Sequence, residues 1–352
     1  MMLYITNREK IEEYRENSAI GQSQLKKLLT GMDEFLKEDE DKKSIPMIIG
    51  SAVDTILTGN EEDFDNLFHV THFTKPSDLV AAILETVYNR VNDKLSDLES
   101  NIPLLEEAII DFNYQNNWKM ETKVNKLLEF SGYYEELQLS ENKTVLSEEQ
   151  FSIVKNVVES LSTNSVTSKY LSRNQKSNVD MYLQLPIFWN YKDVSCKSLL
   201  DIVFVTKNEK GEIINILPID IKTCSGRTVD FLSSVKMRRY DIQAASYSLA
   251  VAKHFNVDPS IVDNFLFIVE STTDIGHPII FTASSELLEV GLNGLPEVWY
   301  EGRLLRQQIL GYDQLISLYK YYEQQGWQEE KIIYENAGHL VLSWDKVTGY
   351  AN

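Results

Sequence analysis

Sulfur and imidazole ligands are scarce in this chain of 352 residues, which contains two cysteines and five histidines. Cys196 and Cys224 cannot supply the four thiolates of a structural zinc or iron–sulfur site within one chain. The histidines form no HExxH motif or similar cluster. The sequence therefore excludes a four-cysteine metal centre within one chain, and we expect both cysteines to be reduced and partly buried.

Long apolar runs are also lacking. No stretch approaches the roughly 18 apolar residues that a membrane helix needs, and the first residues, MMLYITNREKIEEY, do not have the pattern of a signal peptide. The hydrophobic content of 43% and charged content of 25% are typical of a globular protein with a substantial core. We therefore expect a soluble, cytoplasmic protein without a membrane partner.

Basic residues are fewer than acidic ones. The chain has 34 lysines and arginines and 53 aspartates and glutamates, which give a formal net charge of −19. Taken alone, this balance argues against non-specific binding to nucleic acid, whose phosphates attract positive potential. The charge is unevenly spread, however. One strip contains a single acid, Asp230, among the basic residues Lys222, Arg227, Lys236, Arg238 and Arg239. Such a strip permits local contact with DNA on an otherwise acidic protein.

The order of hydrophobic patterns predicts an α+β protein. Helical spacing dominates residues 21–37, 46–59 and 78–162, and strand patterns follow at 179–189, 198–206 and 213–223. A helix is predicted for 240–255, then strands for 264–271 and 278–283, then a long amphipathic helical stretch for 284–327. We therefore predict N-terminal helices in 1–77, a helical insertion in 78–165 and an α/β core with C-terminal helices in 166–352.

The candidate chemistry lies on two neighbouring strands. Asp220 and Lys222 are two residues apart, so both side chains point to one face of their strand. A hairpin would bring this strand beside Asp201, and two adjacent carboxylates need a cation to remain ionised. Carboxylates and the Ile221 carbonyl are hard oxygen ligands, which favour Mg²⁺ or Mn²⁺. The alternative is a surface salt bridge on an edge strand.

An acid also lies within the apolar helix IIGSAVDTIL. Asp54 is nearly surrounded by the apolar residues at 48, 49, 53, 56 and 57. It is either an exposed position on an amphipathic helix or an inward-facing metal ligand. The apolar surroundings favour the ligand.

Several motifs together form a composite pattern: KSLLD, a hairpin, IDIKT, and a helix that carries Gln243 and Tyr247 four residues apart. With GQSQLKKLL, IGSAVDTILTG and QQGWQEE, this pattern resembles the PD-(D/E)xK nuclease superfamily in its RecB-like branch. It is most similar to phage recombination exonucleases of the exonuclease VIII type. The resemblance covers roughly residues 20–60 and 180–330. It implies a restriction-endonuclease-like mixed β-sheet flanked by helices, with a helical insertion.

The resemblance implies a role for each matching position. Asp201 and Asp220 match the two metal-binding acids of the superfamily, and Lys222 matches its catalytic lysine. Gln243 and Tyr247 match the helix motif that contacts DNA near the site. The Ile221 carbonyl completes the expected metal ligands, and Mg²⁺ or Mn²⁺ is the expected cofactor.

Two positions depart from the superfamily pattern. Asp54 stands where the superfamily has a histidine, and Gln184 stands where an acid is common on the preceding strand. A carboxylate at position 54 still supplies a metal oxygen, whereas Gln184 supplies only a neutral amide. Arg238 and Arg239 precede the Gln243 helix and are either solvent-facing or DNA contacts.

The resemblance implies a divalent-metal-dependent deoxyribonuclease. We expect an exonuclease that acts on double-stranded DNA ends in phage-type recombination or replication, in the host cytoplasm if it is phage-encoded. Related exonucleases form rings, which implies a homo-oligomer, and they commonly act with a single-strand annealing protein. The alternative is a weak or inactive DNA- or protein-binding module that retains the nuclease fold.

Overall fold

The computed structural model describes residues 4–5, 8–37, 44–59, 61–73, 75–300, 303–306 and 308–327. The chain divides into two compact units. The sheet unit consists of residues 1–43, 57–59 and 157–352, and the helical unit consists of residues 44–56 and 60–156. The helical unit thus contains most of the block predicted for 78–165, together with parts of the preceding segment.

The strands are β1 (Tyr4–Ile5), β2 (Ile20–Gly21), β3 (Phe68–Thr71), β4 (Thr144–Ser147), β5 (Val179–Tyr191), β6 (Val194–Lys207), β7 (Ile213–Cys224), β8 (Leu266–Ser271), β9 (Ile279–Thr282), β10 (Val298–Tyr300) and β11 (Arg303–Arg306). The helices are α1 (Arg8–Glu16), α2 (Gln22–Lys27), α3 (Met32–Leu36), α4 (Ile45–Thr58), α5 (Glu61–Leu67), α6 (Asp78–Arg90), α7 (Ile102–Asp111), α8 (Met120–Leu128), α9 (Ser131–Leu139), α10 (Glu148–Thr163), α11 (Ser168–Leu171), α12 (Phe231–Arg238), α13 (Tyr240–His254), α14 (Ser285–Asn293) and α15 (Tyr312–Gln324).

A mixed sheet of seven strands forms the centre of the sheet unit. Its order is β1-β5-β6-β7-β8-β9, and β2 pairs with β6 outside this path. The pairs β5/β6, β6/β7 and β8/β9 are antiparallel, whereas β1/β5, β2/β6 and β7/β8 are parallel. The predicted α+β class, with a mixed sheet flanked by helices, is confirmed.

Local sequence explains the long hairpin that carries the candidate site. The β5/β6 turn has two residues, Lys192 and Asp193, both with positive φ, as a type I′ turn requires. Buried and less buried positions alternate along β5, which therefore packs one face on the core. Every residue of β8 is buried because the strand lies between β7 and β9 and both of its faces are covered.

The core of the sheet unit lies between the sheet and helices α2, α13 and α15. Small residues on α13, among them Ala244 and Ala250, are fully buried and let this helix approach the strands closely. The aromatic residues at the C-terminal end of the described chain pack against the core of the sheet unit. Trp327 stacks on Phe35 with ring centroids 4.8 Å apart, and Tyr319 packs against both rings.

The helical unit has its own core, formed by apolar residues of α6, α7, α8 and α9. Its only described strands are β3 and β4, a short parallel pair. Helix α10 begins with a capping box formed by Ser147 and Gln150. The Gln150 N–H donates to Ser147 Oγ over 3.1 Å, and the Ser147 N–H donates to Gln150 Oε1 over 3.0 Å.

Two predicted helices are interrupted. The stretch 284–327 was predicted to be one helical run, but it forms α14, the β10/β11 hairpin and α15. Gly294 ends α14 with φ +67°, and a Cβ at this glycine would lie 2.2 Å from the Ile309 carbonyl oxygen. Gly31 lies between α2 and α3, and only its φ of +147° favours glycine there, since a Cβ would meet no atom within 4 Å. Residues 328–330 of QQGWQEE lie outside the described residues.

No helix in the described part of the chain has both the length and the apolar character needed to cross a bilayer.

Candidate active site

The candidate site lies where β6 and β7 stop pairing with each other. Their ladder ends at the pair Ile202–Ile219, one position before Asp201 and Asp220. Beyond this point the acceptor on β6 is a side chain instead of a backbone carbonyl. The Asp201 Oδ2 accepts the Ile221 N–H over 2.8 Å. The two acids predicted to meet therefore lie side by side at the point where the strands separate.

The Ile221 backbone is oriented toward this gap. The N–H and the carbonyl of a strand residue point to the same neighbouring strand. Because the Ile221 N–H reaches Asp201 on β6, the Ile221 carbonyl points to the β6 side as well. This orientation is the one that the predicted carbonyl ligand requires.

Asp220 is a buried carboxylate, with 3% of its surface exposed, and it has two side-chain partners. Its Oδ2 forms an ion pair with the Lys222 ammonium, which confirms that both side chains share one face of β7. Burial opposes protonation of Lys222, but attraction to Asp220 and Asp201 outweighs burial and raises the pKa of Lys222 above its ordinary value. Lys222 is therefore a fixed positive charge beside both acids.

Helix α13 supplies the second partner of Asp220. The Gln243 amide, itself buried, donates from Nε2 to Asp220 Oδ1 over 2.7 Å. Tyr247 is also buried, one turn further along the helix. Burial raises the pKa of Tyr247, and the nearby Tyr14 and both acids raise it further. In the free protein Gln243 thus orients an acid of the site, and its predicted contact with DNA stays a prediction, as does that of Tyr247.

Gln184 lies on β5 opposite Asp201. Its Nε2 is 3.0 Å from Thr58 Oγ1 and 3.4 Å from Asp201 Oδ1. The residue has a φ of +46°, which is rare for a non-glycine residue within a strand and marks a local distortion beside the acids. Gln184 therefore presents an amide donor to Asp201 rather than a further carboxylate.

The two arginines that were candidates for DNA contact lie where α12 meets α13 and have different surroundings: Arg238 ends α12, and Arg239 separates the two helices. Arg238 is exposed to solvent. Arg239 adopts a left-handed conformation, and its guanidinium forms a two-pronged ion pair with Asp241 that is largely buried. Arg238 is thus free to meet a ligand, whereas Arg239 is already engaged. Contact of either with DNA stays a prediction.

Lys26, for which the sequence predicts no role, contributes a second ammonium group next to the site. Its Nζ donates to the Arg238 carbonyl over 2.9 Å and lies 5.7 Å from the centroid of the Tyr240 ring. Lys222 Nζ lies 5.4 Å from the same centroid. Burial and the charge of Lys222 lower the pKa of Lys26 to about 8.

Asp54 lies on α4 within the helical unit and is half-buried. Its predicted role as a metal ligand stays a prediction. Among the described residues, no group of three or more histidine, cysteine, aspartate or glutamate side chains could hold a metal ion. The sheet unit instead offers two carboxylates and one backbone carbonyl, a set of hard oxygens. This set suits Mg²⁺, which proteins often hold by one or two carboxylates together with water and substrate phosphate.

The chain is similar to several solved structures. No protein-family model and no curated protein matches the chain. The fold is similar to the crystal structure of a protein from Eubacterium rectale that has a provisional assignment as an exonuclease, with a TM-score of 0.46 and 12% sequence identity. The match covers 99% of this chain and 100% of the other.

Proposed function

We propose that the protein is a divalent-metal-dependent deoxyribonuclease that hydrolyses phosphodiester bonds, with Mg²⁺ or Mn²⁺ as its cofactor. The observation that carries this proposal is the arrangement at the β6/β7 gap. Asp201 and Asp220 lie next to each other, Lys222 pairs with Asp220, and both acids face the end of a broken ladder. Asp220 is buried beside the Lys222 ammonium, and such buried charges are costly to maintain and are concentrated at functional sites.

Each residue has a role that follows from its contacts. Asp201 and Asp220 would hold the ion together with the Ile221 carbonyl, and the ion would supply Lewis acidity toward the phosphodiester. Lys222 would stabilise negative charge that develops on the phosphate during hydrolysis, because its raised pKa keeps it protonated. Gln243 would keep Asp220 in the required orientation through its 2.7 Å hydrogen bond.

The second candidate function is a binding module that retains the nuclease fold without efficient catalysis. A specific observation favours it. The four carboxylate oxygens of Asp201 and Asp220 already contact donors of the protein, namely the Ile221 N–H, Gln184, Gln243 and Lys222. Gln184 adds an amide where another acid would strengthen metal binding.

The deciding experiment incubates the purified full chain with linear duplex DNA and Mg²⁺ or Mn²⁺, with and without EDTA. The variants are Asp220→Ala and Lys222→Ala. Asp180 and Lys207 form a matched control, since they make a similar Asp–Lys ion pair elsewhere on the same sheet. Metal-dependent degradation that is lost in both site variants, but kept in Asp180→Ala and Lys207→Ala, supports the nuclease. Intact DNA in every reaction, with retained binding, supports the module.

We further propose that the enzyme is an exonuclease acting on double-stranded ends. Comparison of linear with closed circular duplex tests this point, because an exonuclease leaves the circle intact and an endonuclease cuts it. A homo-oligomer and a single-strand annealing partner belong to the same proposal. Light scattering of the purified protein tests the oligomer, and co-purification with a candidate annealing protein tests the partner.

A further inference from the structure

Lys26 is held in place by buried neighbours on a short helix. Helix α2 follows directly from β2, which pairs with β6 at Ile20–Cys196 and Gly21–Lys197. Leu25 on this helix and Leu28, which directly follows it, are buried in the core of the sheet unit. Each such side chain contributes roughly 1.5–3 kcal/mol by leaving water. The backbone that carries Lys26 is therefore anchored on the strand that carries Asp201.

The ammonium of Lys26 lies near that of Lys222. Both approach the ring of Tyr240, at 5.7 Å and 5.4 Å from its centroid. Phe231 and Phe267 also pack against the Tyr240 ring, with their centroids 5.4 Å and 5.7 Å from its centroid. Their repulsion contributes to the lowered pKa of Lys26, after the larger effect of burial.

The two ammonium groups differ in their partners. Lys222 is neutralised by Asp220, and Arg239 is neutralised by Asp241. Among the described residues, no carboxylate forms an ion pair with Lys26, whose Nζ hydrogen-bonds to the Arg238 carbonyl alone. A half-buried positive charge without a counter-ion is unfavourable, and an anion placed beside it would relieve this cost.

We propose that Lys26 binds a phosphate group of the DNA strand in the site, next to the phosphodiester that Lys222 faces. This inference rests on the proposed function. It assigns to Lys26 a role in holding the substrate rather than in the reaction itself. Arg238 is exposed next to Lys26, and its side chain would lie near the phosphates of the same DNA strand.

A purely structural role is the competing explanation. The bond from Lys26 to the Arg238 carbonyl caps the C-terminal end of α12, and a cation there stabilises a helix. Lys26→Gln separates the two roles, because its amide retains a donor but removes the charge. Lys26→Arg retains the charge. Lys27→Gln is a matched control, since Lys27 lies on the same helix and also donates to a backbone carbonyl, that of Lys37, over 3.2 Å.

The experiment measures binding of the full chain to a fluorescent linear duplex, with Ca²⁺ in place of Mg²⁺ to prevent turnover, over a series of NaCl concentrations. Loss of one phosphate contact lowers the slope of log affinity against log salt by about 0.7–0.9. We expect this change, with affinity about tenfold weaker at low salt, in Lys26→Gln only. Lys26→Arg and Lys27→Gln should bind like the unmodified protein.

The possible failures are distinguishable. An unchanged salt slope in Lys26→Gln, with or without a lower unfolding temperature, would overturn the inference and leave the proposed function intact. Normal binding by the unmodified protein without cleavage in Mg²⁺ or Mn²⁺ would overturn the proposed hydrolysis, while the salt slopes still decide the role of Lys26. A protein that binds no DNA would overturn both.

Discussion

Asp201 accepts the Ile221 backbone N–H over 2.8 Å, so a side chain closes the gap where β6 and β7 stop pairing. This contact gives Asp201 two functions. Its Oδ2 satisfies a backbone donor that has lost its partner in the ladder, and its charge contributes to the candidate metal site. Substitutions that separate hydrogen bonding from charge can therefore distinguish the structural function of Asp201 from its catalytic one.

Asp201→Asn and Asp201→Ala should differ in stability but not in activity. Asparagine retains an oxygen that accepts the Ile221 N–H, whereas alanine leaves that donor unsatisfied at a cost of about 1–3 kcal/mol. Both variants remove the negative charge that would hold the ion, so both should lose cleavage. Denaturant unfolding and a cleavage assay measure the two effects. Equal stability of the two variants would show that the hydrogen bond does not hold the strands.

Gln243 should affect activity through Asp220. Gln243→Met keeps the volume of the side chain but removes the 2.7 Å hydrogen bond to Asp220 Oδ1. Loss of a residue that orients a metal ligand typically lowers metal affinity or activity about 10–100-fold. We expect the Mg²⁺ concentration needed for half-maximal cleavage to rise accordingly. If only the affinity for DNA falls, Gln243 contacts the substrate instead.

The Lys222–Asp220 pair can be examined with a double-mutant cycle in EDTA. Lys222→Met leaves Asp220 as a buried charge without its cation, which we expect to cost about 2 kcal/mol. This cost is smaller than the cost of breaking a fully buried ion pair, because 22% of the Lys222 side chain remains exposed to solvent. Asp220→Asn together with Lys222→Met should recover part of the loss, since no unpaired charge remains. Strictly additive effects in denaturant unfolding would mean that the pair contributes no coupling energy.

The sheet and its two acids could be predicted because the signals are local. Apolar runs define β5 to β8, and a hairpin between β6 and β7 brings Asp201 beside Asp220 whatever the rest of the fold does. The Gln243 helix was equally clear from its pattern. Sequence periodicity does not show which atom meets the Gln243 amide, because that depends on how α13 packs on the sheet.

Lys26 could not be predicted in the same way. Its position depends on β2, which has two residues and is too short to produce an alternating pattern. The two ammonium groups meet at Tyr240 only because β2 joins β6 in parallel and places α2 beside the α12–α13 turn. The interruption after α14 was missed for a similar reason. Amphipathic spacing continues through 284–327, and only the close approach of Gly294 to Ile309 shows where the helix must end.

Divalent ions should stabilise the unmodified protein. A ligand present at about 100 times its dissociation constant stabilises the folded state by about 2.7 kcal/mol. We expect Mg²⁺ or Mn²⁺ to raise the unfolding temperature of the unmodified chain and of Asp180→Asn, but not that of Asp201→Asn or Asp220→Asn. Differential scanning fluorimetry without DNA measures this directly. An equal rise in all four proteins would place metal binding elsewhere.

The stability of the unmodified protein relative to Lys26→Gln should depend on pH. The pKa of Lys26 is about 8 in the folded protein, below the value of about 10.4 that a lysine has in an unfolded chain. Between these two values the unfolded state binds more protons, so the folded state gains stability as pH rises.

Below about pH 8 the cost of the half-buried ammonium is fully present, and it disappears toward about pH 10. Four charged groups act on Lys26: Lys222 and Arg239 lower its pKa, whereas Asp241 and Asp220 raise it. These groups are retained in Lys26→Gln, which itself cannot titrate. The unmodified protein should therefore gain about 1–3 kcal/mol over this variant between about pH 7.5 and 10. Urea unfolding of both proteins across that range measures the difference, and a constant difference would show that Lys26 is solvated like a surface lysine.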